Sequence, residues 1–142
     1  MLQIRRQENT EILLHAQFVK DARYRMLTYL NWLNLTQRTW YQPDISAYRD
    51  YLLQDYQGQH GDSLSASSVR AHLSTVRARY RAVLRDSRTR DALYAMTPAQ
   101  ASPADRKALV DEVVERMRNA IDPEASSVRT ITQQDVADDA HM

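Results

Sequence analysis

One amphipathic helix, expected over residues 64–84, constrains the fold of this chain more than any other segment. Its apolar residues recur at spacings of three and four and therefore share one helical face. They are Val69, Leu73, Val76, Tyr80 and either Val83 or Leu84. Because such a face is buried against other helices, the segment predicts a helical bundle.

A row of arginines runs along the same segment, turned by one residue from the apolar face. It comprises Arg70, Arg77, Arg81, Arg85 and Arg88, with Ser74 at the intervening position. Between residues 65 and 90, seven arginines are opposed by a single acid, Asp86. Cations at helical spacing suit a polyanion, most commonly DNA, whereas a solvated face without a specific partner is the alternative.

The net charge of +1 conceals an uneven distribution of charge along the chain. Residues 1–99 carry 14 Lys or Arg against 9 Asp or Glu, whereas residues 100–142 carry 5 against 9. Nearly all of the basic residues are arginine, whose planar guanidinium group suits bidentate contacts to phosphate or guanine. The basic part of the chain is therefore the candidate binding region.

Composition excludes several other classes of protein. Cysteine is absent, which rules out disulfides and thiolate metal sites, and the only glycines are Gly58 and Gly61, which disfavours Gly-rich phosphate loops. The chain has no apolar run near 18 residues and no secretory signal at its N-terminus. We therefore expect a cytoplasmic protein with no cofactor and no membrane association.

Helix signals extend over most of the chain and predict an all-α fold, a compact bundle of four to five helices with an extended C-terminal linker or tail. Asp44, Ser65 or Ser67, and Ser102 before Pro103 are typical N-caps. The predicted helices cover residues 10–34, 45–57, 65–84, 89–96 and 103–121. The start of the first helix is left open, because the extreme N-terminus is either a separate short element or frayed. Residues beyond Asp122-Pro123 show no sustained helical period and are interpreted as linker or tail.

Three segments, in this order, resemble a known family. They are YLNWL (29–33), PDISAYRDYL (43–52) and LSASSVRAHLSTVRARYRAVL (64–84). Together they are similar to the core-binding, or SAM-like N-terminal, domain of the tyrosine recombinases (the phage integrase family). The likeness covers roughly residues 18–96, and Val19 and Ala22 depart from the Thr and Tyr usual near the start of the first helix.

The resemblance implies a helical domain that grips duplex DNA for recombination or integration. It divides the chain into a DNA-binding domain over residues 1–121 and a linker over 122–142 that leads towards a catalytic domain. The family's catalytic Arg, Lys, H-x-x-R and nucleophilic Tyr are not identifiable here, so the chain itself is not expected to be an enzyme. The expected partner is double-stranded DNA, with other protomers of the same recombinase as further candidates.

The candidate DNA-contacting residues follow from the arginine row and its neighbours. Arg70, Arg77, Arg81 and Arg85 are expected to neutralise phosphates, and Ser67, Ser68 and Ser74 to donate hydroxyls to phosphates or, alternatively, to cap the helix. His72 is a candidate phosphate contact or an ordinary surface residue. Lys20, Arg23 and Arg25 extend the basic surface or are simply solvated.

Two other functions are weighed beside DNA binding. A protein-interaction bundle would use the arginine-rich face to bind an acidic partner, and the acidic segment 105–115 could serve such a face within the chain or between copies. A stand-alone enzyme has little support, because no nucleophile has a neighbouring base in the sequence.

Asp138, Asp139 and His141 are interpreted as a chance cluster rather than a metal site. The tyrosines are expected to pack in the core or at its rim.

Overall fold

The structure, a computed structural model, describes residues 2–14, 20–58, 61 and 63–122, with the side chains of the first helix from Glu8 onward. These residues form six α-helices and no β-sheet, so the predicted all-α bundle is confirmed. The helices are α1 (Leu2–Leu13), α2 (Lys20–Leu35), α3 (Ile45–Gln54), α4 (Ala66–Val83), α5 (Ser87–Ala95) and α6 (Pro103–Ile121). The tail predicted beyond Asp122 lies outside the described residues.

The helical region predicted over residues 10–34 is divided between two helices, and the first of them is a separate N-terminal element, one of the two alternatives left open for the extreme N-terminus. Helix α1 ends at Leu13, and α2 begins at Lys20. Apolar periodicity indicates which face is buried but not whether one helix continues, and here α1 folds back to pack against both α2 and α4. Met26 and Leu33 are buried as expected, whereas Phe18 and Val19 lie outside the described residues.

The N-caps read from the sequence are confirmed. The Asp44 carboxylate accepts a hydrogen bond from the Ala47 amide at 3.0 Å, and the Ser65 hydroxyl accepts one from the Ser68 amide at 3.1 Å. Ser102 caps α6 in the same way. Each such cap satisfies an amide that the first helical turn leaves without a carbonyl partner, and is worth about 1 kcal/mol.

A cluster of aromatic side chains forms the centre of the core. Tyr29 packs edge-on against both Tyr48 and Tyr80, with ring centroids 4.9 and 5.9 Å apart. The hydroxyls of Tyr29 and Tyr80 lie 2.8 Å apart, and Tyr80 donates to the carbonyl of Trp40 at 2.7 Å. Burial raises the pKa of both phenols well above the ordinary value, so both stay protonated and the hydrogen-bond chain is preserved.

Helix α4 lies at the centre of the bundle, where it packs against α1, α2, α3 and α6. Helix α6 packs on α5 and α4 through Val110, Val114, Met117 and Ile121, all buried. The apolar face of α6 is therefore used within the chain. Among the described residues, no helix combines the length and apolarity needed to cross a bilayer.

Candidate nucleic-acid interface

The arginine row is partly confirmed by the structure. Arg70, Arg77 and Arg81 lie on α4 within about 40° of one another around its axis, because each residue turns the helix by about 100°. The last two arginines of the row do not lie on the same helix, since α4 ends at Val83, close to the predicted end at residue 84. Arg85 therefore lies in the turn after α4, and Arg88 in the first turn of α5.

The guanidinium groups of the row differ in their surroundings. Arg70 and Arg85 are exposed, and no described acidic side chain pairs with either. Arg77 is half-buried, and its Nε has no hydrogen-bond partner among the described residues. The inner edge of its guanidinium group is therefore withdrawn from solvent, while the residue as a whole stays partly exposed.

One acid interrupts the row, contrary to the sequence expectation. Asp122, which follows α6, forms a bidentate ion pair with Arg81, with oxygen–nitrogen distances of 2.7 and 2.8 Å. The hydrogen bonds from Arg81, together with the positive charge of nearby Arg77, hold the pKa of the Asp122 carboxyl below its usual range. No inspection of α4 alone could find this acid, because it lies 41 residues away from Arg81 in sequence.

The three candidate serines have different roles. Ser68 is half-buried, and its amide and hydroxyl both bond to Ser65, so it belongs to the N-terminal cap of α4. The Ser67 hydroxyl also lies 3.1 Å from that of Ser65, but the side chain is exposed. Ser74 is exposed one turn before Ala78. Ser67 and Ser74 thus remain accessible, whereas Ser68 has mainly a structural role.

The outward side of α4 carries only small side chains. Ser67, Ala71, Ser74 and Ala78 lie within about 60° of one another around the helix axis. Ser67, Ser74 and Ala78 are exposed, and Ala71 is half-buried. We call these four residues the crest of α4. The arginine row lies on one side of the crest, and the N-terminal part of α2 lies on the other.

His72 is a buried residue, so the surface role considered for it is wrong. Only 4% of it is exposed, and its ring packs edge-on against Tyr24 and Tyr56 at centroid distances of 6.0 and 6.1 Å. Its position one turn before Val76, on the flank of the apolar face, is the sequence signal for this burial. Burial, with a smaller contribution from the positive charge of Arg25, lowers the pKa of His72. The imidazole is therefore neutral at pH 7.

This burial predicts a pH dependence of stability. Because the unfolded state binds a proton with a pKa near 6.5 and the folded state resists it, acidification from about pH 7 to 5 should destabilise the protein. We expect His72→Gln to reduce that loss, by no more than about 2 kcal/mol because only about 1.5 pH units separate the ordinary histidine pKa from pH 5, as measured by urea unfolding at the two pH values. Equal losses in the variant and the parent protein would contradict the assignment.

The basic residues of α2 divide between two sides of that helix. Lys20 and Arg25 line a groove beside the crest of α4, together with Ser67 and Ala71. Arg23 is exposed but does not line this groove. The sequence could not separate these cations, because only the packing of α2 on α4 decides which of them face the groove.

The tyrosines pack as predicted where the structure describes them. Tyr48 is fully buried, and Tyr51, Tyr56 and Tyr94 are partly buried against the core. Across the described ranges, no group of three or more His, Cys, Asp or Glu is arranged to hold a metal ion. The cluster of Asp138, Asp139 and His141 lies outside those ranges.

The surface around α4 therefore offers guanidinium groups, an ammonium group and hydroxyls. These are the donors that proteins use to contact phosphate oxygens and sugars of nucleic acids. A scan against models of protein families, a search of curated proteins and a search of solved structures find no match for this chain.

Proposed function

We propose that this chain is a duplex-DNA-binding module that grips DNA for a site-specific tyrosine recombinase or integrase. The observation that carries the proposal is the shape and charge of α4, with its crest of small side chains and cations on both sides. Strand cleavage, in this proposal, belongs to a separate catalytic domain. A cytoplasmic location, expected from the sequence, is compatible with a DNA partner.

The crest supports entry of α4 into the major groove. That groove is about 12 Å wide and admits an α-helix. Serine and alanine side chains are short, so they allow the helix backbone to approach the base edges closely. In this arrangement Arg70 and Arg77 face one strand of the duplex, and Lys20 and Arg25 face the other, where they neutralise phosphates.

Binding of an acidic protein remains the second candidate function, because the same arginines would suit carboxylates. Much of the acidic surface of α6 is already paired within this chain. Arg90 bonds to Asp111, and Arg116 bonds to Glu112 at 2.8 Å. This internal pairing reduces the acidity that α6 could offer to the arginine row of a second copy.

Duplex binding as a function of salt tests the proposal. We expect a fluorescent duplex of about 25 base pairs to bind at about 50 mM salt, with log K falling by about 0.9 per log unit of salt for each phosphate contacted. Three or more contacts would give a slope of about −2.7 or steeper. Absence of duplex binding at the low salt concentration would refute DNA binding and favour the acidic-partner function.

Replacement of the acid that pairs with the row should strengthen DNA binding. Asp122→Asn removes the carboxylate that occupies Arg81 and frees this guanidinium group for phosphate. We expect duplex affinity to rise up to about 8-fold at about 0.1 M salt, the gain from one further phosphate contact. The measurement is fluorescence anisotropy with the same labelled duplex.

Asp111→Asn provides the matched control for this prediction. It makes the same change in net charge, but Asp111 pairs with Arg90, outside the arginine row. Its effect on duplex affinity should be smaller than that of Asp122→Asn. Equal gains in the two variants would show that net charge alone, and not the release of Arg81, controls the affinity.

A further inference from the structure

A groove of about 610 Å³ separates the N-terminal ends of α2 and α4. The arginine row does not line it, although two of its lining cations, Lys20 and Arg25, are those that the proposed DNA complex places against the second strand. Its polar lining comes from Lys20 and Arg25 on α2, the serines at the start of α4, and His72. This combination of side chains is distinct in position and chemistry from the arginine row.

The electrostatic character of the groove is positive. Lys20 and Arg25 contribute two cations, and Asp21 is the one carboxylate among the described residues that line it. The Arg25 guanidinium has no carboxylate partner in the described chain, and its contact with the Thr75 hydroxyl is long, at 3.5 Å. Because these two cations outnumber the single carboxylate, an anion bound in the groove would meet a net positive charge.

The first turn of α4 adds backbone donors to this lining. The Ser65 hydroxyl accepts from the Ser68 amide, but helix geometry leaves the amides of Ala66 and Ser67 without a carbonyl acceptor inside the helix. The partial positive charge at a helix N-terminus favours anions at this position. The hydroxyls of Ser67 and Ser68, which line the same groove, are further donors.

The unpartnered ring nitrogen of His72 is an independent observation that indicates a ligand. The side chain of His72 lines the groove although only 4% of the residue is exposed. Its Nδ1 is buried and has no hydrogen-bond partner among the described residues. Buried polar atoms are nearly always partnered, so an unpartnered ring nitrogen beside two cations and a helix N-terminus calls for an acceptor. Because Nδ1 is itself buried, a phosphate oxygen would have to reach the buried end of the groove to accept from it in the Nδ1–H tautomer.

We propose that this groove binds a phosphate group, held by Lys20, Arg25, the first-turn amides of α4 and His72. The group is either a phosphodiester of the bound duplex or the phosphate of a small molecule. Only the first source rests on the proposed function. The site itself can therefore be tested in the absence of DNA.

Titration with inorganic phosphate, at constant ionic strength, is the first experiment. NMR signals of the His72 ring, assigned with His72→Gln, should shift and saturate. We expect Arg25→Gln to weaken phosphate binding about tenfold, because it removes a cation that lines the groove. Arg23→Gln, the same substitution two residues away and outside the groove, should leave it unchanged. Unsaturable shifts, or equal effects of the two variants, would overturn the proposal.

A duplex competition then separates the two sources of phosphate. If the duplex supplies the group, saturating inorganic phosphate and Arg25→Gln will each weaken duplex binding. If a small molecule supplies it, saturating inorganic phosphate will leave duplex affinity unchanged although phosphate still binds, and Arg25→Gln will weaken duplex binding only through the loss of a cation that faces the second strand. Failure of DNA binding itself would appear separately, as absence of duplex affinity in the unmodified protein.

Discussion

Replacement of Arg70 and Arg77 together by glutamine should weaken duplex binding about 10- to 60-fold at about 0.1 M salt, because two phosphate contacts are lost. The same change should make the log–log salt slope shallower by up to about 1.8. Both residues belong to the arginine row, and neither forms an ion pair with a described side chain. Fluorescence anisotropy across a salt series measures both quantities.

Arg116→Gln with Arg118→Gln is the matched control for this prediction. It removes the same two positive charges from α6, where these arginines pair with Glu112 and Glu115 at 2.8 Å. We expect a clearly smaller loss of affinity, and a salt slope close to that of the unmodified protein. If the two double variants lose affinity equally, the arginine row has no special role, and the proposed entry of α4 into the major groove of DNA is wrong.

Asn9→Ala should lower the free energy of unfolding by about 2–4 kcal/mol, because it leaves two backbone groups without partners. Asn9 is 1% exposed, its Oδ1 accepts from the Trp40 amide at 2.8 Å, and its Nδ2 donates to the Arg38 carbonyl at 3.2 Å. The Trp40 indole is also held, by the Glu8 carboxylate at 2.8 Å. Helix α1 is thus joined to the α2–α3 connection by a small polar network.

Urea unfolding followed by circular dichroism measures this effect, with Asn31→Ala as the control. Asn31 lies on the exposed side of α2, so its replacement should change stability by less than about 0.5 kcal/mol. An Asn9 variant as stable as the Asn31 variant would show that α1 is held by apolar contacts alone. Such a result would show that the polar network around Asn9 does not contribute to the stability of the fold.

The accurate predictions from the sequence concern features that depend on neighbouring residues. Ser102, Pro103 and Asp105 specify the start of α6, because a cap acts on amides within three residues of itself. The buried face of α4, including Val69, Val76 and Tyr80, follows from helical periodicity in the same way. Such signals need no knowledge of the rest of the chain.

Most features that the sequence did not predict, or predicted wrongly, depend on contacts between distant segments. The pairing of Arg81 with Asp122 joins residues far apart in sequence, and the groove with its buried His72 exists only where α2 and α4 meet. The polar contacts of Asn9 likewise reach across to the chain around Trp40.

The helical class, the caps and the basic side of α4 could be read from the sequence, because each is encoded over a few turns of helix. Which cations are free, which are neutralised and which line a groove depends on the packing of the helices, because that packing sets the distances between the charged groups.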